Sequence, residues 1–215
     1  MLTSAMAYYQ SFRAISRRVG ADERGVAAIE FAMILPIMFV LLVGTVELGQ
    51  AVGAERRVYI TAVSTADLIG RAAGGKVELS QIDLVKNVSQ RVMAPYDGSQ
   101  VKVTIVSVLA KSNGAGNVNI EVLWSRDTDG NEPKAKGAPY ADGKLAGMLP
   151  NPGDSAIISE VKFHYVPMIF TYFIEAAFDL THRSYQTSRA GEAKCVVLSP
   201  MTQAEACPEP LAGGS

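Results

Sequence analysis

The sequence predicts an α+β fold: one long N-terminal helix whose first half crosses a membrane, a short second helix, and an antiparallel sheet of about four strands. Three observations lead there. The segment Phe31–Val46 is almost entirely apolar, and nothing between Glu30 and Glu47 carries a charge. Past it, apolar residues keep recurring at a helical period as far as Ala73. Beyond residue 100 the period becomes two, with turn residues between the runs.

Composition narrows the function classes. The chain has 215 residues, 48% apolar and 19% charged, with a formal net charge of −1. That length suits one globular domain plus an anchor, and that mix can build a packed core. So even a charge balance offers no field for nucleic acid, which is therefore not an expected partner. Two cysteines and two histidines without zinc-ligand spacing give no structural metal site, and no cofactor motif stands out.

Residues 1–25 form a short basic leader, in which Arg13, Arg17, Arg18 and Arg24 outnumber Asp22 and Glu23. Val26–Gln50 follows as the span. A membrane-crossing helix needs roughly 20 apolar residues, and Val26–Ile29 and Leu48–Gly49 extend the uncharged centre to that length. Glu30 and Glu47 then sit near the two interfaces, where a charge is far less costly than at mid-bilayer. A buried core helix would rarely run so long without a charge. A cleaved signal peptide usually has an apolar region of about 7–15 residues closed by small residues, a pattern that Glu47 and Glu55 interrupt. A plain single-pass anchor stays open as a reading. The leader arginines place the N-terminus in the cytoplasm, against the weaker pull of Arg56 and Arg57. Pro36, inside the span, removes one backbone donor and crowds the carbonyl of Ala32, which predicts a kink.

The run Glu23-Arg24-Gly25-Val26-Ala27-Ala28-Ile29-Glu30-Phe31-Ala32, then Leu35-Pro36, then Val46-Glu47-Leu48-Gly49, resembles the TadE/TadG-like pilus assembly family. The match spans about residues 23–66 and is specific in that the glycine, glutamate, aromatic residue and proline all fall in register. The resemblance implies a minor pilin or pseudopilin of the tight-adherence (Flp, type IVb) pilus system, held in a bacterial inner membrane with its head in the periplasm. Its implied partners are the membrane, a prepilin peptidase, and other pilus assembly proteins or pilin subunits. It implies processing at the Gly25–Val26 bond, with Glu30 fifth and Phe31 sixth in the mature chain. A glutamate one turn from the new cationic amine could pair with the amine of a neighbouring subunit in apolar surroundings. The other reading of Glu30 is an anchor-end carboxylate reaching the headgroups; for Glu47 an interfacial or helix-contact role is expected. Larger family members carry a metal-binding adhesion domain, for which this chain is too short.

The helix is expected to continue through Val52, Tyr59, Ala62, Ala66, Ile69 and Ala73 and to stop at Gly74-Gly75. A long helix half in the bilayer and half packed on a head is the pilin plan. Gly49 and Gly53 have the small-xxx-small spacing that permits close helix contact, a pattern common by chance. Ser80–Met93 reads as the second helix, with Ser80 and Asp83 at capping-box spacing, an apolar face of Ile82, Val85, Val88 and Val92, and Pro95 beyond it. Val101, Val103 and Ile105, then Val118, Ile120, Val122 and Trp124, alternate with polar residues around the loop Ser112–Gly116 and predict a hairpin. Residues 126–153, rich in Gly, Asp, Pro and Lys, read as a long exposed loop. Ala156–Val166 is a third strand with Ile157, Val161, Phe163 and Tyr165 on one face, and Phe178–Ser188 a last one. Between them Ile169–Phe178 is aromatic but carries Glu175 and is too short to span a bilayer, which favours core or interface packing over membrane contact.

Nothing in this pattern is catalytic. His164 and His182 fall on predicted strands, without a nucleophile motif nearby. Asp127, Asp129 and Gly130 do not complete a calcium loop. The expected head spans residues 51–198 and the tail 199–215. Cys195 and Cys207 follow the last strand. In an oxidising compartment they would close a short loop worth up to about 3 kcal/mol, a bridge compatible with pilin-like heads. Two free thiols in a frayed tail are the alternative. A different class altogether, a single-pass tethered binding or sensor module, would need the span but not the Gly25-to-Glu30 register.

Overall fold

A computed structural model describes residues 23–71, 76–114, 117–169, 171, 177–187 and 195–197. The leader 1–22, the Gly74-Gly75 stop, Cys207 and the tail 199–215 lie outside the described residues, as does the side chain of Cys195, so the expected bridge does too. The chain divides into two compact units, Met1–Gly49 and Gln50–Ser215.

The described part of the first unit is helix. α1 begins at Glu23 and ends, in the second unit, at Gly70. From Gly25 to Leu42 every side chain is exposed, on all sides of the helix. An amphipathic helix would show a polar face; between Glu30 and Glu47 this one carries no charge on any side, the composition of a helix apolar all round. Thr45 donates its hydroxyl to the Leu41 carbonyl at 2.8 Å, which satisfies the polar group inside the helix itself. The helix passes through Pro36.

The second unit is α+β. Its sheet is antiparallel, in the order β3 (Val118–Asp127), β2 (Val101–Ser112), β4 (Ser155–Tyr165), β5 (Phe178–Thr187). A small parallel pair, β1 (Lys76–Glu78) with β6 (Cys195–Val197), was not expected; three residues carry too little periodicity to be read. α2 runs Leu79–Val92. Residues Gln50–Gly70 of α1 bury Ala54, Val58, Ala62, Ala66 and Ile69, with Thr61 and Thr65 between them. This stripe packs with Ile82, Val85 and Met93 against one sheet face, made of Val101, Val103, Ile105, Ile157, Val161, Phe163 and Tyr165. Each large side chain buried there contributes about 1.5–3 kcal/mol. The expected stripe was half right: Ala62, Ala66 and Ile69 point inward, whereas Val52 and Tyr59 are exposed. A face of small residues let the helix sit close to the sheet, and small residues give a faint periodic signal.

Three local expectations shift. The N-cap of α2 is Glu78, with the Gln81 side chain accepting from the Glu78 N–H at 3.1 Å; Ser80 lies inside the helix and donates to Glu78 Oε2 at 3.1 Å. Gly53 is occupied by Tyr96: a Cβ there would lie 2.5 Å from the Tyr96 hydroxyl oxygen. Residues 126–153 are not simply an exposed loop. β3 extends to Asp127, and α3 (Gly143–Met148) buries Leu145, with Leu149 just after it, in a second core on the other sheet face with Val106, Val108, Val122 and Ile158.

Candidate functional site

The family-matched residues lie at the start of α1. Gly25 and Val26 are in its first turn, where four backbone N–H groups have no partner within the helix and ends fray readily. Nothing lies within 4 Å of a Cβ placed on Gly25. Glu30 stands four residues after Val26, on the same helix face, and is exposed, as are Val26 and Phe31 (59%). Next come the apolar residues Met33 (73% exposed), Ile34, Leu35 and Ile37 around Pro36. The helix from Gly25 to Gly70 is long and apolar enough, by length and composition, to cross a membrane. Glu47 is buried.

Residues 25–64 match the TadE-like protein family. The TadE-like segment thus begins at Gly25, takes in the apolar half of α1, and ends within its head-packed half. Comparison of the chain with curated proteins and with solved structures gave no match.

On the sheet face that carries the second core, the half nearer Tyr165 is charged. Glu160 accepts from Arg183 Nε at 3.0 Å and lies 3.4 Å from Lys162 Nζ; His164 Nδ1 is 2.7 Å from Asp179 Oδ1. His182, on the helix side, meets the Tyr59 ring edge-on at 4.7 Å between centroids. Both histidines are held by neighbours across the fold, as structural residues are. Asp127 makes a turn. Its carboxylate accepts from the Asn131 backbone and side chain at 2.7 and 3.0 Å and from Asp129 N at 3.0 Å, while Asp129 pairs with Lys102 at 3.1 Å. Burial alone would raise the Asp127 pKa; the bonds from Asn131 and Asp129 outweigh it and hold the carboxyl below its ordinary range.

One feature escaped the sequence. A shallow groove of about 500 Å³ runs between Val118–Glu121 and Gly137–Ala146. Its floor is tied down by backbone bonds from Val122 N to Ala138 O at 2.9 Å and from Tyr140 N to Ile120 O at 2.8 Å, which cover the edge of β3. Beside it Tyr185 donates to Asp142 Oδ2 at 2.6 Å, and Asp142 also caps α3 by accepting from Lys144 N at 3.0 Å. These bonds stiffen the groove wall. Among the described residues no three His, Cys, Asp or Glu side chains are grouped to hold a metal ion.

Proposed function

We propose that this chain is a membrane-anchored, minor pilin-like component (a pseudopilin) of a tight-adherence, Flp-type pilus assembly system. The observation that carries the reading is the match of residues 25–64 to TadE-like proteins on a helix that is apolar on every side before it enters the head. The role is structural and not enzymatic. The basic leader stays in the cytoplasm, Val26–Gln50 crosses the bacterial inner membrane, and the α+β head stands in the periplasm among other pilus proteins. A prepilin peptidase cuts between Gly25 and Val26. Support for that cut is positional: the bond lies in the first, easily frayed turn of α1, Gly25 leaves its surroundings open, and Glu30 follows on the face of the new terminus.

Co-expression with a prepilin peptidase of a tight-adherence system, followed by N-terminal sequencing, tests this. A mature chain beginning at Val26 is expected, and Gly25→Phe should remain uncut, because a bulky side chain replaces the small residue at the scissile bond. A chain that keeps its leader while sitting in the membrane would leave a tethered binding or sensor module, in which the head groove becomes the working part.

A further inference from the structure

The two edges of the head's sheet are built differently. The β3 edge is guarded. A bulge at Leu123 breaks its ladder, and residues 137–140 lie along it, with Gly137 N donating to Val122 O at 2.7 Å and Tyr140 N to Ile120 O at 2.8 Å. The β5 edge has no such device. β5 pairs with β4 over its whole length of ten residues, Phe178–Thr187, without a register shift. It contains no proline, glycine or lysine. Among the described residues, β4 is its only strand partner. A long, regular edge strand of this kind is a template for a further strand, because it presents a row of outward N–H and C=O groups.

Both faces of β5 are unfinished as well. No β5 residue is buried, whereas its neighbour β4 is buried along most of its length. On the helix side Tyr59 meets His182 edge-on and Gly70 abuts Gln186, so one flank of α1 runs along the strand. Val63 follows Tyr59 by one helical turn on that flank. Tyr59 is nevertheless 50% exposed and Val63 39%. Leu180, on the same side of β5, is only half-buried. A strand added to β5 would bring its own side chains over these three residues. On the other face the Asp179 side chain is 70% exposed and that of Arg183 50%, although His164 holds the one at 2.7 Å and Glu160 the other at 3.0 Å. Two opposite charges are thus fixed on one face of the strand, about 13 Å apart. Charges of both signs at set positions do not repel strands in general; they select among them.

We propose that the β5 edge is a docking site for an extended segment of another protein, which joins the sheet as a fifth strand. It runs antiparallel to β5, as every neighbouring pair in this sheet does. The segment that fits carries an acidic residue opposite Arg183 and, four residues later, a basic residue opposite Asp179. Its alternate residues are apolar and face Leu180, Tyr59 and Val63. Main-chain hydrogen bonds supply the affinity, and the alternating side chains choose the partner. Opposite charges directly across two strands attract, and like charges there repel. The site lies wholly within the head and goes beyond the assembly role; it does not depend on cleavage at Gly25.

The probe is the N-acetylated peptide Thr-Val-Glu-Val-Thr-Val-Lys-Val-Thr, labelled with fluorescein at its C-terminus and offered to the full chain in detergent micelles. A second peptide exchanges its Glu and Lys. Fluorescence anisotropy gives the two Kd values, and hydrogen exchange follows the amides of residues 178–187. The expected result is saturable binding of the first peptide, slower exchange over 178–187, and about tenfold weaker binding of the second. N-methylation of the peptide's valines blocks one of its edges, and N-methylation of its other residues blocks the opposite edge. One of these two sets should abolish binding and the other leave it. Asp179→Lys combined with Arg183→Glu should invert the preference between the two peptides. Equal affinity for both peptides means a merely apolar surface and overturns the proposal, as does the absence of binding. Slow exchange of every β5 amide without peptide, at all protein concentrations, means that this chain covers its own edge. Slow exchange that develops only as the protein is concentrated means that a second copy covers it. Either result overturns the proposal.

Discussion

Two glycines of the head stand in close contacts, and they differ in what surrounds them. A Cβ on Gly98 would fall 2.5 Å from the Gln90 carbonyl oxygen and 2.8 Å from Gln90 Cα, so the obstacle is the backbone of α2. A Cβ on Gly53 would meet only the end of the Tyr96 side chain, whose hydroxyl oxygen lies 2.5 Å away, and no backbone. Gly98→Ala should therefore destabilise the head by about 1–3 kcal/mol, the range for overpacking. In Gly53→Ala two effects oppose each other. The lost Tyr96–Gln50 hydrogen bond costs about 1 kcal/mol, and alanine in a helix recovers roughly as much relative to glycine. Its stability should stay near that of the parent. Denaturation of the two variants in detergent separates them; equal losses would mean that Tyr96 cannot move. At this scale the sequence could be read only for spacing: it shows Gly49 and Gly53 four apart, but not that a tyrosine 43 residues away fills one of them.

Among the elements, what was legible followed from strong periodicity. The first half of the long helix was visible from its uncharged apolar run, and α2 and the four-stranded sheet because valine and isoleucine repeat there at one clear period. The bulge in β3 was not. Register passes from Ser107–Trp124 to Val108–Val122, so Leu123 is extra, and Trp124 turns to the helix side while Val118, Ile120 and Val122 stay on the other. Strict alternation placed all four together. The buried part of 126–153 was hidden for a different reason: Leu145 and Leu149 lie in a polar, glycine-rich stretch, and only tertiary contact makes them core. Their segment should respond to pH through Asp142 and Tyr185. The hydrogen bond from Tyr185, with that from Lys144 N, holds the Asp142 carboxyl below its ordinary range. Stability from this group is present above the unfolded carboxylate pKa, near 4, and is lost as pH falls through the lower folded value. Burial and the bond to Asp142 push Tyr185 from 10.0 up to about 12, so its contribution is full below pH 10 and fades as pH rises toward about 12. Tyr185→Phe should cost about 1 kcal/mol at pH 7 and flatten both limbs of the stability–pH curve. Urea titrations of parent and variant at acid, neutral and alkaline pH check this; a curve unchanged in shape would exclude the pair as its source.

At the scale of the whole molecule, one carboxylate separates an assembling subunit from a tethered head. Glu30 lies at the edge of a segment whose side chains are exposed on every side from Gly25 to Leu42. If it served only to end the anchor, its removal would matter to insertion alone. Removing a charge near the end of a span makes insertion easier by at most about 2–3 kcal/mol, so Glu30→Gln should reach the membrane at least as well as the parent. Pairing with the amine of a neighbouring processed subunit needs the negative charge itself, which glutamine lacks and aspartate keeps on a shorter stem. The expected order for co-purification with the pilin subunits of the same system is therefore parent, then Glu30→Asp, then Glu30→Gln, with equal amounts of all three in the membrane fraction. Cells carrying the peptidase and the pilin supply both measurements at once. Equal recovery of pilin with Glu30→Gln would remove the pairing role, and a drop in its membrane level would show that the carboxylate acts at the bilayer surface instead.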